Sequence, residues 1–214
     1  MNKNIMSIAI AVMLGLISTA YADLPQVIGN WEDSNDDWVL ADEADPCTTA
    51  ASFRGNASLG NYSYKVFAAP GWQKAVSRDL AYDANLLEAL GKTVQIKVDI
   101  TLKAKEWDIG SGWIKAIEAL VIQSDRGGWQ QFEPVGAGDA VAWDGKTDKT
   151  FTITFEIPEQ TPPALTQGKV ILITSYDGVT TAGNFYYDNV RLMGAAEQAK
   201  PAEPNEPNKQ PAPI

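Results

Sequence analysis

Apolar and polar residues alternate along several stretches of this chain, and this pattern predicts β-strands. In residues 93–102 every second residue from Val94 to Leu102 is apolar, and the residues between them are polar. A strand with one buried face shows this period of two. Residues 151–157 repeat the pattern and stop before a proline, which has no N–H to donate. Further strands are predicted at four places: residues 62–67, 72–80, 170–175 and 184–192.

Little of the chain has a helical pattern. Residues 82–90 form the one plausible helix, and Gly91 would end it. Residues 113–123 are ambiguous, although their position between Gly-rich turns favours a strand. Residues 124–149 are rich in Gly and Asp and are expected to form a long loop, which is uncommon unless it has a function. The whole pattern predicts an all-β fold, a two-sheet antiparallel β-sandwich (jelly roll) with one short helix at most.

Composition divides the chain into three regions. Residues 1–22 carry a positive residue, an apolar run and a small-x-small site in the order of a secretory signal peptide. Residues 23–194 are long enough for one domain with a sizeable core. Residues 195–214 are mostly Pro, Glu, Asn, Lys and Gln, which predicts a disordered tail. The protein is therefore expected to be secreted, periplasmic or extracellular, with no membrane insertion after signal cleavage.

Charge and the lack of histidine exclude several functions. The formal net charge is −10, and loss of Lys3 with the signal peptide would make it −11. A basic face for nucleic acid or for an anionic membrane is therefore not expected. Without histidine, Ser-His-Asp or Cys-His catalysis and His-ligated metal sites are excluded. The single Cys47 cannot form an internal disulfide. Paired carboxylates for glycoside hydrolysis remain open, but no pattern selects two of the 27 acidic residues.

Tryptophan supplies the candidate ligand residues. The chain has seven, and three of them follow a glycine. An indole offers an apolar platform to the C–H face of a sugar, and polar neighbours can bind the hydroxyls. The alternative for each Trp is packing in the core, since Trp is highly buried on average, and Trp31 and Trp38 are predicted to be core. The candidate ligand-binding residues are Trp72, Gln73, Arg78, Trp113, Trp129 and Gln131.

A cation site is a second possibility. Ca²⁺ takes six to eight oxygen ligands from carboxylates and carbonyls. Glu32 belongs to the first predicted strand and Asp188 to the last, and the terminal strands of a sandwich are often neighbours. The acidic residues at 33–45 and at 139–148 are looser alternatives, without the spacing of an EF-hand.

Three segments together resemble a known class of domain. Residues 29–38 (GNWEDSNDDW), 60–66 (GNYSYKV) and 184–192 (NFYYDNVRL) are similar to the opening, second and closing strands of jelly rolls of the carbohydrate-binding-module and galactose-binding type. The pattern also resembles secreted bacterial proteins of the planctomycete type. The resemblance implies a structural Ca²⁺ held by Glu32, Asp188 and a carbonyl near Lys65. It also implies that any sugar binds on the concave sheet or in the loops at one edge.

The sequence thus predicts a secreted, non-catalytic carbohydrate-binding module with a structural calcium ion and a polysaccharide or glycan as its partner. One alternative is a structural, extracellular-matrix or cell-surface interaction protein that uses the same fold. A polysaccharide lyase or hydrolase ranks last. Nothing in the sequence predicts the oligomeric state.

Overall fold

The computed structural model describes residues 24–41, 49–68, 74–109, 112–138, 141–158, 165–175 and 182–195. The predicted signal peptide, Cys47 and nearly all of the predicted tail lie outside these ranges. The described residues form thirteen strands, one α-helix and a 3₁₀ turn at Ala104–Glu106. The strands and helix are β1 (Gln26–Gly29), β2 (Trp38–Leu40), β3 (Thr49–Arg54), β4 (Tyr62–Ala68), β5 (Lys74–Asp79), α1 (Ala84–Gly91), β6 (Gln95–Leu102), β7 (Ile114–Lys115), β8 (Ala119–Ser124), β9 (Gly128–Phe132), β10 (Ala142–Trp143), β11 (Lys149–Glu156), β12 (Gly168–Ser175) and β13 (Gly183–Met193).

Two antiparallel sheets form the body of the protein. The first sheet has the order β11-β6-β13-β4-β3, and β1 also pairs with β13. The second sheet has the order β2-β5-β12-β8-β9, and β7 pairs with β10 in a small separate ladder. This architecture confirms the predicted all-β, two-sheet antiparallel sandwich with one short helix. Within the described residues, no helix has the length and apolar character needed to cross a membrane.

The core lies between the sheets and is apolar on both sides. Alternate residues of β6, from Ile96 to Leu102, are completely buried, and Val170 and Leu172 face them from β12 in the same cluster. Trp31 and Trp38 close one end of this core, with exposures of 0% and 1%. The predicted core role of these two indoles is confirmed.

Three local features differ from the predicted pattern. The segment 124–149, which is predicted to be a long loop, contains β9 and β10. The sequence does not predict β9, because this polar edge strand lacks apolar alternation. Glu32 lies in the loop after β1 and not in a strand. The helix begins at Ala84, because the Asp83 carboxylate caps it by accepting from the N–H groups of Asn85 and Leu86.

Candidate functional site

The outer face of the second sheet carries a row of polar side chains at one end. In an antiparallel pair, residues directly opposite each other project from the same face. Asp79 lies opposite Lys169, Lys169 opposite Gln123, and Gln123 opposite Trp129. These four residues, from β5, β12, β8 and β9, form what we call the end row. It runs across the strands and not along them.

The middle of the same face is closed by apolar side chains. The next rows inward hold five residues that form a cluster separate from the core: Ala75, Ala119, Val121, Ile171 and Ile173. None of them is more than 8% exposed. In the end row, by contrast, the side chains of Asp79, Gln123 and Trp129 are exposed. The polar side chains available to a ligand on this face therefore lie mainly at the end of the face and not in its middle.

A cleft of about 540 Å³ opens beside the end row. Asp79, Ala81 and Tyr82 line one side, Gln123 and Ser124 line the other, and residues 166–169 lie between them. Each wall is therefore the end of a strand or the turn that adjoins it.

Tyr82 is presented to this cleft by the turn between β5 and α1. The Asp79 carboxylate accepts a hydrogen bond of 2.8 Å from the Ala81 N–H and so holds the turn. Asp83 caps the helix directly afterwards. Tyr82 stands between these two fixed points, and its side chain is 95% exposed. A phenol left in water to this extent is available for a ligand.

Asp125, in the turn between β8 and β9, holds the middle wall. The Thr166 hydroxyl donates to Asp125 Oδ2 at 2.7 Å, and the Thr166 N–H donates to the same oxygen at 3.2 Å. The Gln167 N–H donates to Asp125 Oδ1 at 3.4 Å. The Thr166 hydroxyl is the main reason that the pKa of Asp125 is lowered. The segment before β12 is thus attached to the hairpin that carries Trp129.

The side chains of the end row are suited to a neutral, polyhydroxylated ligand. Neither the Lys169 ammonium nor the Gln123 amide makes a hydrogen bond or ion pair with any described residue. The opposite charges of Asp79 and Lys169 lie on adjacent strands, so the floor has donors and acceptors but no net formal charge. Exposed aromatic rings stand on the two flanks, Tyr82 beyond β5 and Trp129 on β9.

The predicted ligand residues fall in different places. Trp129 is 56% exposed in the end row, and Gln131 is exposed one row inward, opposite Val121. Trp113 is 60% exposed but precedes β7, beyond the other end of β8. Trp72 and Gln73 lie outside the described residues.

Arg78 faces away from the cleft. It lies opposite Trp38 and Val170, both of which belong to the core, so its side chain points between the sheets. Its Nη1 donates to the Ile28 carbonyl at 2.5 Å. Only 15% of the side chain is exposed. The geometry therefore gives Arg78 a part in the structure and not in this site.

Sequence reasoning did not select Tyr82, Asp79, Gln123 or Lys169. Tyr82 was assigned to the helix, although an aspartate directly after it is a good N-cap and indicates a later start. The other three alternate with buried residues, which places them on an outward face. Their meeting in one row depends on the pairing of β5, β12 and β8.

The opposite side of the sandwich holds the predicted metal residues. Residues 55–61, which we call the clasp loop, are bound by both Glu32 and Asp188. Glu32 Oε1 accepts from the N–H groups of Asn61 at 2.7 Å and Tyr62 at 2.8 Å. The approach is so close that a Cβ on Gly60, whose φ is +76°, would lie 2.3 Å from this oxygen. The N–H groups of Tyr62 and Asn61 lower the pKa of Glu32.

Asp188 holds the middle of the clasp loop. Its Oδ2 accepts from the Ser58 N–H at 2.8 Å, the Leu59 N–H at 2.8 Å and the Ser58 hydroxyl at 2.9 Å, and its Oδ1 accepts from the Asn189 N–H at 2.7 Å. The residue is 1% exposed. Burial raises the pKa of Asp188, and the Leu59 N–H is the largest opposing influence.

Asp99 lies directly opposite Asp188 on β6 and shares the same hydroxyl. The Ser58 Oγ is 2.8 Å from Asp99 Oδ2, and Arg191 Nη1 donates to that oxygen at 3.2 Å. Burial opposes the charge of Asp99, but hydrogen bonds from Thr152, Ser58 and Asn189, together with Arg191, lower its pKa. Arg191 therefore stabilises the negative charge of Asp99, and backbone N–H groups stabilise that of Asp188.

This arrangement does not by itself form a calcium site. Glu32 Oε1 and both oxygens of Asp188 accept hydrogen bonds, and each donor takes a lone pair that a cation would need. The Lys65 ammonium lies over the Phe53 ring at 5.1 Å, and its backbone pairs with strands on both sides. Among the described residues, no three His, Cys, Asp or Glu side chains are grouped to hold a metal. Calcium binding stays a prediction from the resemblance.

Comparison with known proteins identifies the fold and leaves the family open. No family model matches this chain, and no curated protein matches it significantly. A solved carbohydrate-binding module of family 28, specific for non-crystalline cellulose, is 16% identical, with 78% of this chain and 93% of the module aligned at a TM-score of 0.54. A family 22 xylan-binding domain from Paenibacillus barcinonensis is 11% identical over 80% of this chain and 97% of the domain (TM-score 0.48). A family 11 module from Clostridium thermocellum is 15% identical over 80% and 95% (TM-score 0.46).

The structural neighbours are therefore carbohydrate-binding β-sandwiches. At these identities the likeness shows the fold alone. It does not test the galactose-binding subtype or the planctomycete-type source suggested by the sequence motifs.

Proposed function

We propose that this protein is a secreted, non-catalytic carbohydrate-binding module and that the cleft beside the end row is its binding site. The observation that supports this most directly is the pair of exposed rings, Tyr82 and Trp129, on either flank of the row. Between them stand Asp79, Lys169 and Gln123, whose polar groups are available to hydroxyls. Secretion rests on the pattern of residues 1–22, which lie outside the described part of the chain.

The chemistry of the row matches that of a sugar. A pyranose has an apolar C–H face that packs on an aromatic ring and equatorial hydroxyls that need both donors and acceptors. The row supplies an ammonium, an amide and a carboxylate. The net charge of −10 disfavours a polyanionic glycan, because the summed field repels it. A neutral polysaccharide is therefore the proposed ligand.

The geometry also suggests how long the bound segment is. The end row crosses four adjacent strands, and three spacings between strands amount to about 14 Å. A ligand that contacts both Tyr82 and Trp129 must span at least this distance, which exceeds one sugar ring. The ligand is therefore an oligosaccharide segment lying across the strands.

A binding role fits this cleft better than hydrolysis. Glycoside hydrolysis generally uses two carboxyl groups on either side of the scissile bond. Asp79 is the only carboxylate among the described residues that line the cleft. Its Oδ1 is already occupied by the Ala81 N–H. These facts support the non-catalytic proposal.

The test is binding to neutral polysaccharides. Affinity electrophoresis in soluble xylan, pull-down on non-crystalline cellulose and calorimetry with xylo- and cello-oligosaccharides from the disaccharide to the hexasaccharide are the first measurements. Trp129→Ala and Tyr82→Ala should each weaken binding about tenfold, as the loss of a stacking contact of about 1.4 kcal/mol does. Affinity should rise with chain length until both rings are covered.

Trp113→Ala is the matched control, because Trp113 is as exposed as Trp129 but precedes β7 and does not belong to the end row. Its affinity and its melting temperature should equal those of the wild type. An equal loss in Trp113→Ala, or unchanged binding in Trp129→Ala, would move the site elsewhere. Absence of binding to every polysaccharide, with self-association of the protein instead, would favour a structural role.

A further inference from the structure

The middle wall of the cleft is a short segment, residues 166 and 167, between Leu165, which packs in the core, and Gly168, where β12 begins. Residues 166 and 167 are exposed and precede β12. Asp125 binds them to the turn between β8 and β9, because its carboxylate accepts from the Thr166 hydroxyl and from the N–H groups of Thr166 and Gln167. A carboxylate that accepts several hydrogen bonds holds a segment more firmly than a neutral acceptor does.

Asp125 also belongs to the element that carries a ligand ring. The turn at residues 125–127 joins β8 to β9, and Gln123 and Trp129 are opposite each other across this hairpin. The Gly127 N–H donates to the Ser124 hydroxyl at 3.0 Å, and Gly128 has a φ of +59°, so the turn has a defined shape. The Asp125 carboxylate therefore connects the β8–β9 hairpin to the Thr166–Gln167 segment, which leads into Lys169.

We infer that Asp125 is a positioning residue, which forms the cleft in advance by fixing the Thr166–Gln167 segment to the hairpin of Trp129. It lies outside the lining of the cleft and does not need to touch the ligand. The inference rests on the proposed binding function of this cleft. Without the attachment, a ligand would have to order the wall when it binds, and that ordering reduces affinity.

Two variants test the attachment from its two sides. Asp125→Asn keeps the size of the side chain but removes its charge and one acceptor oxygen. Thr166→Val keeps the shape and removes the hydroxyl, while Thr166→Ser keeps the hydroxyl and should keep amide exchange at Thr166 and Gln167 at the wild-type rate. We expect amide hydrogen exchange at Thr166 and Gln167 to become at least tenfold faster in Asp125→Asn and Thr166→Val. Their melting temperatures should stay close to that of the wild type, because Asp125 is exposed.

Binding is measured on the same proteins with xylohexaose and cellohexaose. Asp125→Asn and Thr166→Val should each weaken binding by about tenfold, which corresponds to the loss of one hydrogen bond to a charged group. The double variant should lose no more than either single variant, because both remove the same contact. Asp144→Asn is the matched control. Asp144 is also exposed and accepts a backbone N–H, from Lys146 at 3.1 Å, but it lies outside the cleft.

The outcomes separate this inference from the proposed function. If the wild type binds no neutral polysaccharide or oligosaccharide, the proposed function fails, and hydrogen exchange still reports whether Asp125 holds the wall. If the wild type binds and Asp125→Asn shows fast exchange with unchanged affinity, the wall is not needed and the inference is wrong. It is also wrong if exchange at Thr166 and Gln167 does not change. An equal loss of affinity in Asp144→Asn would show a nonspecific effect of charge and would overturn it as well.

Discussion

Replacing Asp188 by alanine should release the clasp loop and lower the stability of the whole domain. The substitution removes four hydrogen bonds, two of them from the backbone of the loop at Ser58 and Leu59. A hydrogen bond to a charged group contributes about 1.5–3 kcal/mol, and removal of one partner of a buried charged set costs about 3–5 kcal/mol. Burial of Asp188 and its neighbour Asp99 reduce this gain. We therefore expect a loss of about 3 kcal/mol.

Urea unfolding and thermal melting measure this loss. For a domain of this size, about 3 kcal/mol corresponds to a decrease of roughly 6–12 °C in melting temperature. The matched control is Glu32→Ala, which removes two N–H contacts at the other end of the clasp loop. Glu32 is only half-buried, so water can replace it, and the expected cost is about 1 kcal/mol. An Asp188→Ala protein within about 1 kcal/mol of the wild type would refute the reasoning.

The same proteins test the calcium prediction. If hydrogen bonds alone hold the clasp loop, a chelator should leave the melting temperature of the wild type unchanged. If calcium is bound there, the chelator should lower the melting temperature of the wild type and have no effect on Asp188→Ala. The second result would show that an ion displaces some of the N–H contacts of Asp188.

Two further predictions concern Arg78 and Asp125. Arg78→Met should keep the packing but lose the donor to the Ile28 carbonyl; unfolding should show a cost of about 1–2 kcal/mol with unchanged glycan binding, and weaker binding would return Arg78 to the site. The pKa of Asp125 is lowered by the Thr166 hydroxyl, so its contact should be complete above the ordinary aspartate pKa of about 3.9 and be lost as the pH falls through the lower value in the folded protein. The Thr166 amide resonance followed by NMR should be constant from neutral pH to about pH 4, and a transition near pH 6 would contradict this. Asp125→Asn, which has no carboxylate at this position, is the control.

The strands that could be predicted are those with one fully apolar face. β6 and β11 each present an uninterrupted alternation because one side of each packs against the core. β9 could not be predicted, because it is an edge strand with Trp129 and Gln131 on one face and Gln130 on the other. Its formation depends on pairing with β8, a contact that leaves no periodic signal.

The same limit applies to the candidate site. Trp129 could be selected from its residue type and polar neighbours, and Arg78 was selected on the same grounds. The pairing of β5 shows why Arg78 does not belong to the site. Arg78 pairs with buried Val170, whereas its neighbour Asp79 pairs with Lys169 on the outer face. Local sequence can assign a residue to a face. Only the register of several strands shows which residues share a row.

The two outer faces of the sandwich are closed in different ways, and this difference determines where a ligand can bind. On the first sheet, Asp99 and Asp188 are covered by the clasp loop, and their charges are used to hold it. On the second sheet, the middle rows hold a buried apolar cluster, and Gln131 is the exposed polar side chain among the described residues of the row next to the end row. Polar groups that have no partner among the described residues occur where this face passes from Ile171 and Val121 to Lys169 and Gln123. Burying such groups is favourable only when a ligand replaces their lost water contacts, and this requirement is consistent with the proposal that a polar ligand binds at the end row.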